Sequence, residues 1–207
     1  NIIPMPLSNK ETKKALDNST KDGLYTSALD SIVNTFTTPF ALFLGATDVG
    51  IGLVNSIPKF FSYILQPIAG RQIEFSGSRK KICINYTLLA RLSLIFLTVL
   101  PFIVFHENIF LFAAILSFYG LAANFAGTAW ASWVADFVPE NIRGRYFGKR
   151  NMISGFSAFL VTLISGWILG FTNGPLGFSI IFSMAVLFGV ISIYYLRKIP
   201  EPEFEVS

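Results

Sequence analysis

The 207-residue chain is 53% hydrophobic, with 22 phenylalanines and only 14% charged residues, a composition too apolar for an ordinary soluble domain. Its net charge of +4 does not indicate nucleic acid, because the basic residues are spread over four segments between apolar runs, where bilayer topology and anionic lipid account for them. The single cysteine, Cys83, excludes an internal disulfide and reads as a small buried filler.

In chain order, residues 1–21 are polar, and Ser8 and Glu11 stand at capping-box spacing. This predicts a short interfacial helix over 8–20 on the cytoplasmic surface. Six apolar stretches follow, at 23–46, 48–70, 82–105, 108–137, 152–171 and 175–196. At ~1.5 Å per residue each is long enough to cross a ~30 Å hydrocarbon core. Pro39 is expected to bend the first, and Pro58 with Pro67 the second. A two-residue turn, His106–Glu107, divides the spans three and three. The fourth stretch is crowded with small residues and the fifth contains Gly166 and Gly170 in a GxxxG pair, both of which predict close helix approach. Trp130 and Trp133 read as packing residues. The polar run from Pro139 to Arg150 is the longest internal loop.

Beyond Ile199 the prolines at 200 and 202 cannot continue a helix. The chain thus divides into a cytoplasmic segment 1–21, a bundle 22–198 and the start of a linker, 199–207. A polar N-terminus before a full-length apolar run argues against a cleavable signal peptide. The absence of an initiator Met suggests a fragment or a trimmed chain. No similarity between the first and last three stretches is visible.

Charge orients the spans. Of the 16 Lys and Arg residues, only Lys59 and Arg91 fall inside apolar stretches. Lys10, Lys13, Lys14 and Lys21 precede the first, and Arg71, Arg79, Lys80 and Lys81 separate the second from the third. Arg143, Arg145, Lys149 and Arg150 separate the fourth from the fifth, and Arg197 and Lys198 follow the sixth. The alternate connections carry none. Because cytoplasmic loops retain positive charge, both termini are expected in the cytoplasm of a multi-pass plasma-membrane protein. The fold expected is all-α, with six transmembrane helices. The sequons at Asn18 and Asn85 then fall on the cytoplasmic side and are silent.

Several spans gather polar residues on one face. Ser27, Asp30, Ser31, Asn34, Thr37 and Thr38 do so in the first, Ser56, Lys59, Tyr63 and Gln66 in the second, and Ser117, Asn124, Thr128 and Ser132 in the fourth. Lipid cannot hydrogen-bond these groups, so the stripes face protein or water. For the Ser and Thr positions alone, bridging between packed helices is a sufficient account. The charges are different, since each costs at least roughly 2.5–3.5 kcal/mol at mid-span unless paired or hydrated. Asp30 and Arg91 are expected at similar depth, where they can bridge. Lys59 is left without an acidic partner. Asp30, Asn34, Lys59, Arg91 and Asn124 are therefore the candidate cavity residues.

The segment Gly70-Arg-Gln-Ile-Glu74-Phe-Ser-Gly77-Ser-Arg79-Lys80-Lys81 resembles the signature loop of the major facilitator superfamily, G-x-x-x-D-R-x-G-R-R. Gly45–Gly52, Gln66–Gly70 and Asp136–Gly148 are also similar to segments of such transporters. The resemblance covers about 22–198 and implies the N-terminal six-helix half of a twelve-helix carrier, arranged as three plus three helices. It further implies a cytoplasmic latch, in which Gly70 and Gly77 turn the chain, Glu74 pairs with Arg143 or Arg145, and Arg79, beside Lys80, pairs with Asp136. Glu74 stands where the family has Asp, and Phe75 and Ser78 stand where it has basic residues. The fourth span lacks a buried Arg and the fifth lacks G-x-x-x-G-P, which argues against a multidrug exporter.

The expected activity is secondary transport of a small solute by alternating access, the second wall of the site coming from a C-terminal half or a second copy. Two cations against one acid within the spans favour an anionic or zwitterionic solute, and Asp30 is a candidate for proton or cation coupling. The alternative is a six-helix scaffold or receptor, or a half-size homodimer without transport. Nothing suggests an enzyme or a cofactor, since neither H-E-x-x-H nor G-x-S-x-G occurs and His106 is the sole histidine.

Overall fold

The computed structural model describes residues 2–4, 8–75, 78–103, 109–172, 174–201 and 204–206, with the backbone alone at 2–4, 9, 73–75 and 204–206. The expected turn at His106–Glu107 lies outside these residues. Seven α-helices make up the body: α1 (Asn9–Phe43), α2 (Asp48–Ile64), α3 (Gln66–Phe75), α4 (Arg79–Ile103), α5 (Ile109–Phe137), α6 (Arg143–Phe171) and α7 (Pro175–Arg197). A short antiparallel ribbon, β1 (Ile2–Pro4) with β2 (Phe204–Val206), places Ile3 opposite Glu205. Both ends of the chain therefore meet at one end of the bundle.

Local chemistry sets the helix limits. The Ser8 hydroxyl accepts from Glu11 N at 3.3 Å while Glu11 Oε2 accepts from Ser8 N at 3.1 Å, the reciprocal cap the spacing predicted. No break separates this turn from the first span. The interfacial helix expected over 8–20 is the opening of one 35-residue helix, because Ala15, Asn18, Ser19 and Asp22 are buried against the bundle. α1 ends in a Schellman turn, with Gly45 N bonded to Leu42 O, Ala46 N bonded to Ala41 O, and Gly45 at φ 81°. The second apolar stretch is two helices. Pro67, lacking an N–H, starts α3 after the break at Leu65.

Among the described residues, four segments are long and apolar enough to cross a membrane: Arg79–Ile103, Ile109–Phe137, Glu140–Phe171 and Pro175–Arg197. α1 is long enough but is diluted by its polar stripe, and α2 has only 17 residues because of the break at Leu65. Large apolar side chains cover the outside, among them Phe96, Ile103 and Trp167, each about two-thirds exposed. A surface of that kind belongs in lipid or against another membrane element.

α1 packs on α6 and α7, α5 packs on α2 and α4, and α4 meets α7. At the end away from the termini, Phe40 is fully buried among Phe112 (centroids 4.9 Å apart), Phe178 (5.0 Å) and Phe182 (5.2 Å), joining α1, α5 and α7. Gly120 lets α5 lie close to α2, since an added Cβ would stand 3.3 Å from Ser62 Oγ. Gly166 and Gly170 have nothing within 4 Å of such a Cβ, so the GxxxG pair brings no helix of this chain close.

Two outcomes are expected. Phe40→Ala, which empties the centre of the ring cluster, lowers stability by roughly 3 kcal/mol or more, read as a lower melting temperature in mild detergent. The bonds from Ser8 hold the Glu11 carboxyl below its usual range. The cap is therefore fully formed at neutral pH and is lost as pH falls through that depressed value. Amide exchange in the first turn of α1 should accelerate on acidification in the native chain and show no such step in Glu11→Gln.

Candidate functional site

Two cavities lie side by side in the bundle, and the sequence-predicted residues divide between them. The larger, about 450 Å³, is walled by α1, α2 and α5 and lined by Asn34, Lys59 and Asn124 with Asn55, Ser62 and Tyr119. The smaller, about 210 Å³, holds Asp30 and Arg91 together with Asp22, Thr26, Trp130 and Arg150.

The expected ion pair between Asp30 and Arg91 does not form. Tyr119 stands between them, donating to Asp30 Oδ1 at 2.6 Å and accepting from Arg91 Nη1 at 3.5 Å. Arg91 Nη2 reaches Thr26 Oγ1 at 3.4 Å. Thr26 Oγ1 lies 2.9 Å from Ser192 Oγ, and Ser192 donates to Asp22 Oδ1 at 2.7 Å. One buried guanidinium is thereby suspended between two carboxylates by hydroxyl groups on three helices. Gly189 makes room for it, since a Cβ there would lie 2.9 Å from Arg91 Cδ. Arg150, the second cation at this cavity, stacks 4.3 Å over the Trp130 ring and donates to Ser19 O. Arg91 Nε and Trp130 Nε1 are buried donors without a partner among the described residues, so the small cavity suits ordered water.

Asp22, Thr26, Tyr119, Arg150 and Ser192 were not anticipated. Asp22 follows Lys21 and reads as a loop charge, although its eight-residue spacing from Asp30 puts both on one face of α1. That spacing was the available signal. Nothing in the sequence distinguishes Tyr119 or Ser192 from ordinary packing residues.

At the end bearing the termini, Arg79 Nη1 meets Asp136 Oδ2 at 2.5 Å, joining α4 to α5 through the contact expected of the loop motif. Arg143 donates to Ala135 O and Val138 O, closing the end of α5. The pairing expected between Glu74 and Arg143 or Arg145 lies outside the described residues, as does Gly77. Gly70 does not turn the chain as expected. It is an interior residue of α3, where the segment after Pro67 is simply helical. Glu201 supplies an acid that the motif did not suggest, accepting from Ser78 Oγ at 2.8 Å and from Lys80 N at 3.0 Å at the start of α4. Lys80 Nζ donates to Ile199 O.

A sequence model of the Major Facilitator Superfamily matches residues 23–206. The chain belongs to the major facilitator superfamily. Its members are transporters, and this one is a multi-pass membrane protein. No curated protein and no solved structure matches the chain.

Within this transporter the buried network makes a sharp thermodynamic demand. Arg91→Leu leaves Asp22 and Asp30 short of counter-charge and should cost roughly 3–5 kcal/mol. The triple change Arg91→Leu, Asp22→Asn, Asp30→Asn should recover most of that loss, because the uncompensated charges are gone. Melting of the native protein, the Arg91→Leu variant and the triple variant measures it; no recovery in the triple variant would refute the network as the cause.

Proposed function

We propose that this chain is the N-terminal six-helix half of a secondary transporter that moves a small solute by alternating access. The carrying observation is the larger cavity, a polar space of about 450 Å³ walled by α1, α2 and α5 and backed by the buried Arg91 network. Family membership supplies the class, and the cavity supplies a place for the solute.

In this reading α2 and α3 together form the second span and α1 the first, giving six. The contacts support a three-plus-three arrangement. If α1, α2 and α4 are exchanged for α5, α6 and α7, the pairings α1–α6, α1–α7 and α4–α7 become α5–α2, α5–α4 and α7–α4, all of which occur. The termini and the basic segments share one end of the bundle, which the positive-inside rule assigns to the cytoplasm of the plasma membrane. There Arg79 and Asp136, with Lys80, Arg143 and Arg145 of the same basic segments, form the latch that closes the cytoplasmic side. The facing wall of the cavity comes from a C-terminal six-helix half or a second copy.

Asn34, Lys59 and Asn124 contact the solute. Lys59 has no hydrogen bond or ion pair among the described residues, and no carboxylate lines its cavity. An anionic or zwitterionic solute complements it. Asp30, with Arg91 behind Tyr119, is the coupling group, taking up a proton or a cation as the cavity changes its access.

Alternating access can be tested without knowing the solute. In full-length protein carrying Cys83→Ser and Asn55→Cys, a membrane-impermeant maleimide should reach the cavity thiol from either face of the membrane. Labelling from one face only, under every condition, would favour a scaffold or receptor.

A further inference from the structure

The unspent hydrogen-bonding capacity of the larger cavity narrows the solute further. Its hydroxyl protons are already committed. Thr37 Oγ1 donates to Val33 O at 2.5 Å and Ser62 Oγ donates to Pro58 O at 2.8 Å. Both amide hydrogens of Asn55 are used, on Ile51 O at 2.9 Å and Thr38 Oγ1 at 3.3 Å. Tyr119 spends its proton on Asp30. What these groups still present to the cavity is acceptor lone pairs. Asn124 adds a buried carbonyl oxygen with no partner among the described residues, which is costly unless a ligand or water donates to it. Against these acceptors stand one cation, Lys59, with three donors, and the Asn124 amide nitrogen with two. Asn34 and Tyr63, both exposed, can act either way.

We infer that this cavity binds a hydroxylated monocarboxylate, its single carboxylate on Lys59 and its hydroxyl groups donating to Asn124, Asn55 and Ser62. The inference deepens the transporter reading and rests on it in taking this cavity as the solute's. Each rival class leaves a group unmatched. Phosphate, sulfate or a dicarboxylate brings more negative charge than one lysine offsets and sets acceptors against acceptors. An unsubstituted fatty monocarboxylate satisfies Lys59 but leaves the Asn124 oxygen orphaned. A neutral polyol serves the acceptors and leaves Lys59 unpaired. An amino acid brings an ammonium group to a wall without a carboxylate, since Asp30 lies behind Tyr119 and is already bonded to it.

The test is ligand-induced stabilisation of the full-length purified protein by gluconate, sorbitol, hexanoate, succinate, inorganic phosphate and alanine. Gluconate should raise the melting temperature most. Lys59→Gln should weaken its apparent affinity by about tenfold or more, with Lys59→Arg retaining much of it. Asn124→Leu should reduce the preference for gluconate over hexanoate while leaving hexanoate binding intact. Stabilisation by succinate, phosphate, sorbitol or alanine equal to that by gluconate overturns the inference, as does gluconate binding that ignores Lys59→Gln. Failure of all six ligands, in protein whose Asn55→Cys variant still labels from both faces, also overturns it and leaves the transporter reading standing. One-sided labelling would instead remove the transporter reading itself.

Discussion

A guanidinium held inside an apolar bundle constrains the rest of this structure. Arg91 is buried, and an ion removed from water at such a site costs several kcal/mol unless its surroundings return it. The return comes from α1, which supplies Asp22, Thr26 and Asp30, from α5, which supplies Tyr119, and from α7, which supplies Ser192. These helices must keep their registers to keep those bonds. α7 must also carry a residue without a side chain at 189, because any Cβ would displace the arginine stem. The polar stripe of α1 follows from the same requirement. It lowers the mean hydropathy of that helix below that of the other spans, and its Asp30, with Asp22 and Thr26, makes the buried cation tolerable.

The division of the interior into two cavities is a further consequence. Tyr119 lines the larger space and donates to Asp30, which lines the smaller, so it links the two. On one side the charges are mutually compensated and the remaining orphans are donors, Arg91 Nε and Trp130 Nε1. On the other side one uncompensated lysine faces groups whose protons are already used.

The multi-pass membrane character was readable because span-length apolar runs recur along the whole chain. The cap at Ser8 was readable because it rests on backbone chemistry local to a few residues; Pro67 signalled a bend in the second span but not its division into two helices. The pairing of Arg79 with Asp136 came through the resemblance to a known loop. The interior was less accessible. Asp30 and Arg91 stood out as costly charges, but their link through Tyr119 depends on a hydroxyl from a helix 89 residues away in sequence. Asp22 was hidden by its lysine neighbour, and the direct ion pair expected in its absence does not occur. Lys59, Asn34 and Asn124 were identified as polar residues in apolar spans. That they line a different cavity from Asp30 depends on how α5 packs between α2 and α4.

The two charge clusters differ in a way that bears on motion. Arg79 and Asp136 keep side-chain exposures of 33% and 14%, and a pair so close to solvent contributes at most about 1 kcal/mol, a population bias of less than about tenfold. The bonds from Ser78 and Lys80 to Glu201 sit at a helix terminus near water and are replaceable by it. Contacts of that size can break and re-form within a transport cycle. The Arg91 network is far costlier to open, because a bond lost there strands a buried charge unless Asp30 is neutralised at the same step. Under the proposed alternating access, the bundle therefore moves as one body through its interior, and the rearrangement falls on the terminal-end contacts and on the broken second span, where Pro67 has already removed a backbone hydrogen bond.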